Sequence, residues 1–282
     1  MKVFTFFYNR YDTATTSLAL SENGINHSVL IHNDGDADLF RKGGTIGALG
    51  KAVVTGNGKG LAYQRNTALG MMDLGEWGVF MCDDFQHVMS MPTDLIMSSS
   101  DRIPINFQNQ QAFRFKKYEH ESTLAEMFKT FPKLISVAEA NRIHLVGFAL
   151  HSNPQNLAKK FTLRGLADGR FWLVKKSHYT FDLNAQLIDD VAWTAENLVR
   201  HGNVLILNWI LPTFKRYTAG GFGSQEQRIE LRRKECAYLA AKYNPLVKTA
   251  KKPGWPDGTH IRLYGSDGNI TAARKRLGIP TL

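Results

Sequence analysis

Two pairs of adjacent carboxylates could do chemistry in this chain: Asp83–Asp84 and Asp189–Asp190. The first pair directly follows an apolar run, WGVFMC at 77–82. That run is long enough for a core strand of a parallel sheet and too short for most helices. The pair therefore sits where a strand leaves its sheet, and ligands of open α/β sheets bind outside those carboxyl ends. Like charges this close repel, so one must take a proton or a cation must sit between them. A divalent ion is the natural answer. Mg²⁺ or Mn²⁺ takes one or two carboxylates and completes its shell with phosphate oxygens. The plainer reading is a solvated loop start.

The second pair opens a helix expected over residues 184–200, where Leu187, Val191, Ala195 and Leu198 fall on one face and Gly202 stops the chain. Acids in a first turn stabilise their own helix through its dipole. The functional alternative is a general base, usually a His or a carboxylate held at a site. Asp34, in the loop HNDGDAD after a second strand, suits either a turn cap or a contact to a ribose or base. Alternating Asp34, Asp36 and Asp38 do not make a calcium loop, because Leu39 and Thr45 occupy the places that need Gly and Glu. Gly50-Lys51-Ala52 likewise fails the phosphate-loop pattern.

The elements that would position these groups are legible in outline. Strands are expected at 3–8, 27–31, 51–55, 77–82, 143–150, 171–175, 203–209 and 260–264, from short β-branched and aromatic runs. A helix at 15–23 ends at Gly24, and another, carrying Arg65 and Asn66, ends near 73–75. The strand–helix–strand opening is a βαβ unit and predicts a parallel sheet. Thr123 with Glu126 makes a capping box for a helix that Pro132 is expected to interrupt. Ser224 with Gln227 caps a long helix bearing Arg228, Arg232 and Arg233.

At 282 residues, 43% hydrophobic, the chain can bury a full core. No apolar run reaches the ~18 residues of a membrane span, and the N-terminus reads as a strand rather than a signal peptide. Two distant cysteines, Cys82 and Cys236, indicate neither a zinc cluster nor a disulfide framework. The net charge is +10 and unevenly placed. Residues 224–282 hold 12 Lys and Arg against 5 Asp and Glu, whereas residues 1–223 hold 23 against 20. A basic segment of this kind suggests a polyanion such as nucleic acid as partner.

The order of these residues resembles the GT-A class of nucleotide-sugar glycosyltransferases. It runs from a strand to Asn33-Asp34-Gly35 and Asp38, to a helix with Arg65-Asn66, to a strand ending Cys82-Asp83-Asp84, to an acidic pair opening a later helix. The Gly220-Gly221-Phe222-Gly223-Ser224 loop and its Arg-rich helix are most similar to the phage glycosyltransferases that decorate hydroxymethylated pyrimidines in DNA, the family associated with TET/JBP oxygenases. The resemblance implies an α/β fold of GT-A, Rossmann-like type, a mixed sheet flanked by helices over residues 1–210, with a basic helical C-terminal extension over 211–282. It implies Mn²⁺ or Mg²⁺ as cofactor and a nucleotide-sugar donor, a UDP-sugar being the first expectation. It also implies a phage-infected bacterial cytoplasm and no membrane. Asn9, Asp34, Arg65 and Asp83 would contact the donor, with Arg65 near its diphosphate. Asp84 would bind the metal, completed by His260, and Asp190 with Asp189 beside it would supply the base. Cys82 stands where the usual acidic run begins, and Asp189 where Glu is more usual. In such an enzyme a flipped base could stack on Trp193 or Phe222, and Arg228 and Arg232 would grip DNA phosphates. A transferase acting on a glycan or small acceptor, or a non-catalytic DNA-binding protein of transferase-like fold, would share much of this pattern.

Overall fold

Apolar runs without a polar face become central strands here because both faces of the sheet are covered. The computed structural model describes residues 1–7, 15–35, 37–38, 51–55, 60–90, 120–149, 161–215, 224–251 and 259–280. From the N-terminus, β1 (Lys2–Phe7), α1 (Thr15–Glu22), β2 (Ser28–Ile31), β3 (Lys51–Val54), α2 (Leu61–Gly70) and β4 (Trp77–Cys82) follow in order. Next come β5 (Phe85–Ser90), β6 (His120–Ser122), α3 (Leu124–Ala140), β7 (Leu145–Phe148), β8 (Phe161–Leu163) and β9 (Phe171–Lys175). The chain continues through α4 (Asp189–His201), β10 (Leu205–Leu207), β11 (Ile210–Phe214), α5 (Gln225–Lys242), β12 (Val247–Lys251), β13 (Thr259–Leu263) and α6 (Asp267–Leu277).

The fold is α/β. Its main sheet has eight strands in the order β3-β2-β1-β4-β9-β7-β10-β8. β1 pairs in parallel with both β2 and β4, while β9 runs antiparallel to its neighbours β4 and β7. β8 is the other reversed strand, antiparallel to β10. The connection after β1 goes to one side and β4 lies on the other, so the order reverses between β1 and β4. Such a reversal opens a crevice at the carboxyl ends of the two strands.

Period two sorts the side chains onto two cores. Phe4, Phe6, Phe80, Trp172 and Val174 face a core built with α2, α4, α5 and α6. Val3, Val79, Met81, Phe171 and Leu173 face the other, built with α3 and the small β11-β5-β6 sheet. Segment 211–282 is not packed by itself. Cys236, Leu239, Tyr243, Val247, Ile261 and Ile270 lie in the same core as Phe4 and Phe80, and β11 pairs with β5.

The expected break at Pro132 does not occur, and α3 runs through it. A mid-helix proline costs about 3 kcal/mol. Burying Phe131, Leu134 and Val137 on the inner face of α3 returns about 1.5–3 kcal/mol each, so the packed face wins. The capping boxes of Thr123 and Ser224 both form as expected.

A stacked histidine pair lies where α4 ends against β7. The rings of His144 and His201 are 3.7 Å apart. Nδ1 of His144 meets Ser177 Oγ at 2.9 Å, and His201 Nε2 meets the Tyr179 hydroxyl at 2.9 Å. Burial holds both pKa values down, His201 to about 3, with Lys175, Arg200 and Arg274 adding to the effect. Both rings are therefore neutral in the fold. The stability this allows is complete above the unfolded value near 6.5 and is lost as pH falls toward about 3. His201→Phe is expected to change the melting temperature little at pH 7 and to move the acid-unfolding midpoint to lower pH. Circular dichroism across a pH series checks this, and an unmoved midpoint would refute it.

Candidate active site

The start of α4 is set by a residue far away in sequence. Glu235 of α5 is 2% exposed. Its Oε1 accepts from Gln186 N at 2.8 Å, and its Oε2 accepts from Leu187 N at 2.9 Å and Ile188 N at 3.2 Å. Those amides are taken by the carboxylate, and α4 begins at Asp189 instead of 184. Asp189 and Asp190 thus form the first turn of α4 as expected.

Asp189 is buried and pairs with Arg65 of α2. Arg65 was expected beside a donor diphosphate, but it is 1% exposed. Its Nη1 donates to the Asp189 carboxylate, its Nη2 donates to Gly169 O at 2.6 Å, and its guanidinium lies 4.3 Å over the Trp172 ring. It is a buried cation that ties the first turn of α4 to the entry of β9. Gly169 packs against this group so closely that a Cβ there would lie 3.1 Å from Asp190 Cβ and 3.2 Å from Arg65 Nη2. Burial raises the Asp189 pKa, and Arg65 opposes that rise.

Asp190 is half-buried. Burial of its carboxyl, followed by the charges of Asp189 and Asp168, pushes its pKa up to about 7, against a hydrogen bond from Val191 N and the field of Arg65. A carboxyl near neutrality can take and return a proton at ordinary pH, which is the property a general base needs.

Asp168 is a member of the cluster that sequence reasoning missed. It precedes β9, and β9 runs antiparallel to β4 with Met81 opposite Phe171. The entry to β9 therefore lies at the exit from β4, where Cys82 N donates to Arg170 O at 2.9 Å. Asp168 binds Arg170 Nε at 2.8 Å and Nη2 at 2.5 Å. The pattern Asp168-Gly169-Arg170 marks a turn, but only the direction of β9 brings it here.

Asp83 and Asp84 do follow the strand end. They span the turn from β4 to β5, and the first turn of α1 holds them. Thr15 Oγ1 donates to Asp83 O at 3.1 Å; Thr16 Oγ1 donates to Cys82 O at 2.6 Å and accepts from Phe85 N at 3.0 Å. Asp83 is buried and Asp84 half-buried. Burial pushes the Cys82 thiol well above its usual range, with both aspartates adding to it. Asp34 is exposed just beyond β2, on the same edge of the sheet.

The remaining expected residues are not all brought here. Asn9 and Phe222 lie outside the described residues. Trp193 is 2% exposed and stacks on Phe181 at 3.9 Å, because the inward face of α4 carries it into the core. It has no face to offer a flipped base. His260 lies on β13, paired with β12. Among the described residues no three His, Cys, Asp or Glu side chains converge on a point that could hold a metal, so His260 does not join Asp84 in such a group. Arg228 is exposed and Arg232 half-buried on α5, along the stripe that leads to Glu235. Arg274, one of the cations of the basic segment 224–282, is buried, donating to Val199 O and, at 2.9 Å, to Arg200 O at the end of α4.

No protein-family profile matches the chain, and no curated protein has a significantly similar sequence.

Two stability outcomes follow from the cluster. Arg65→Met leaves the Asp189 carboxylate buried without its partner and is expected to cost about 3–5 kcal/mol. The double variant Arg65→Met/Asp189→Asn should recover much of that loss; denaturant unfolding of the three proteins measures both, and no recovery would mean that the pair is not coupled. Asp190 has a raised carboxyl pKa, so the folded state holds its proton where the unfolded chain has lost it. Stability therefore falls as pH rises from about 4 toward 7. Asp190→Asn should raise the melting temperature by a few degrees at pH 8 and by much less at pH 4. An equal change at both pH values would contradict the assignment.

Proposed function

We propose that the protein is a metal-dependent glycosyltransferase that moves a sugar from a nucleotide-sugar donor to the hydroxymethyl group of a modified pyrimidine in DNA. One observation carries the reading. Five carboxylates, Asp83, Asp84, Asp168, Asp189 and Asp190, surround the carboxyl edge where the strand order reverses, and one of them titrates near neutrality. Edges of this kind receive nucleotides in doubly wound α/β folds. The order β3-β2-β1-β4 and the pairing of an exit acid pair with a helix-start acid pair support the GT-A reading. The cationic balance of residues 224–282 supports a DNA acceptor.

The roles divide by environment. Asp190 takes the proton of the acceptor's primary hydroxyl as that oxygen attacks the sugar carbon. Asp189, tied to Arg65, orients the first turn of α4. Asp34 suits a hydroxyl or base contact to the donor nucleoside. Asp84 with Asp83 makes a two-carboxylate edge. That fits Mg²⁺ or Mn²⁺ bound chiefly through donor phosphates, and it does not fit a cage made by the protein alone. When bound, the ion supplies neutralisation of charge on the diphosphate leaving group. Arg228 and Arg232 are the cations on α5 that would meet DNA phosphates.

The test is a Mn²⁺-dependent transfer assay. A panel of nucleotide sugars is offered to DNA with and without 5-hydroxymethylpyrimidines, and nucleoside masses are read after digestion. A mass gain confined to hydroxymethylated DNA is expected. Its rate should rise with pH through about 7 as Asp190 loses its proton. Asp190→Asn should leave donor binding intact and lower turnover at least about a hundredfold, and Asp84→Ala should remove metal-dependent donor binding in calorimetry. Sugar-nucleotide hydrolysis without transfer to DNA would move the acceptor elsewhere; full turnover in Asp190→Asn would remove the base.

A further inference from the structure

A second cleft of about 510 Å³ opens between α4, the end of α5 and residues 178–183. Small-molecule sites typically span about 300–1,000 Å³. The cleft follows the same face of α4 that carries Asp189. Its far wall, Arg200, lies about 15 Å along the helix from Asp190 at 1.5 Å per residue.

The hydrogen-bonding capacity of its lining is lopsided. Two carboxylates stand at the base, each 12% exposed. Glu196 accepts from Arg200 Nε and, at 2.6 Å, from the Tyr243 hydroxyl. Asp182 accepts from Asn184 N at 2.9 Å, from the Tyr238 hydroxyl at 2.6 Å and from Lys242 Nζ at 2.7 Å. Their oxygens are spent inward. The cations stand higher, Arg200 39% and Lys242 28% exposed. A guanidinium has five N–H groups and an ammonium three, and among the described residues each cation uses one, on its carboxylate. What remains toward the cleft is donors. Trp193 is also part of the wall, its indole Nε1 fully buried and without a hydrogen-bond partner among the described residues. The four charged groups sum to zero, so attraction at a distance is weak, but at contact the cleft offers N–H groups held in place by buried anchors. Aromatic rings complete the wall, with Tyr179 lying 4.8 Å beneath the Arg200 guanidinium.

We infer that this cleft binds a phosphate-bearing ligand of nucleotide size, with its phosphate between Arg200 and Lys242 and the remainder along residues 178–183. An acceptor-rich anion is the chemistry that matches unspent donors, and guanidinium with ammonium is a common phosphate pair. The volume exceeds what a lone phosphate fills and suits one nucleotide, either free or as a unit of a strand. The inference stands apart from the transfer reaction proposed above.

The full chain is titrated in a calorimeter with inorganic phosphate, with each 5′-mononucleotide and with a short oligothymidylate. The same titrations, all in buffer with EDTA so that metal-dependent donor binding does not contribute, are run on Arg200→Gln, Lys242→Gln and Asp84→Asn, each checked for native circular dichroism. Nucleotide affinity is expected to fall at least about tenfold in Arg200→Gln and in Lys242→Gln, to weaken with added phosphate, and to persist in Asp84→Asn. Equal affinity for mononucleotide and oligothymidylate would identify a free nucleotide as the occupant; binding of oligothymidylate alone would identify a strand. Either agrees with the inference. Loss in Asp84→Asn with unchanged affinity in Arg200→Gln and Lys242→Gln would put the nucleotide at the acidic edge and overturn it. So would no binding of any probe up to about 5 mM, a concentration that would reveal even a millimolar Kd.

Discussion

A guanidinium with almost no exposed surface must be neutralised where it lies, and the arrangement of the acidic edge follows from how Arg65 is neutralised. Its ion pair with Asp189 fixes the first turn of α4. Its hydrogen bond to Gly169 O fixes the entry to β9, and the Trp172 ring beneath it fixes its height above the sheet. Desolvating two charges offsets much of their attraction, so such a pair adds little net stability. What it supplies is position. Three segments distant in sequence are tied at one point, and Asp190 is held beside that point with no ion pair among the described residues.

Adjacent acids are thereby driven apart in behaviour. Asp189 and Asp190 share a helix turn, and burial raises the pKa of both; Arg65 opposes the rise chiefly at Asp189, while the charges of Asp189 and Asp168 add to it at Asp190. The cost is a strained electrostatic balance above neutral pH, a common trade between function and stability.

The C-terminal segment serves α4 at both ends. Glu235 accepts from the amides that lead into the helix, and Arg274 donates to the carbonyls that end it. An anion at the amino end and a cation at the carboxyl end are the signs the helix dipole favours. Part of the charge in this segment is therefore internal structure. Arg228 of α5 and Lys275 and Arg276 of α6, by contrast, lie on exposed faces.

By itself the sequence determined the local elements and the places where acids must sit on them. Short apolar runs became strands, Thr123 and Ser224 capped their helices, Asp83–Asp84 followed a strand end and Asp189–Asp190 opened a helix, because propensity, capping and periodicity act over a few residues. Only the tertiary structure decided what those acids meet. The reversed direction of β9 carried Asp168 to the exit of β4, the core drew Arg65 and Trp193 inward, and Glu235 cut α4 short at Asp189. Each of these is a contact between segments far apart in the chain. A periodic pattern records which face of an element is buried. It does not record which element covers that face, nor which way a strand in a mixed sheet runs.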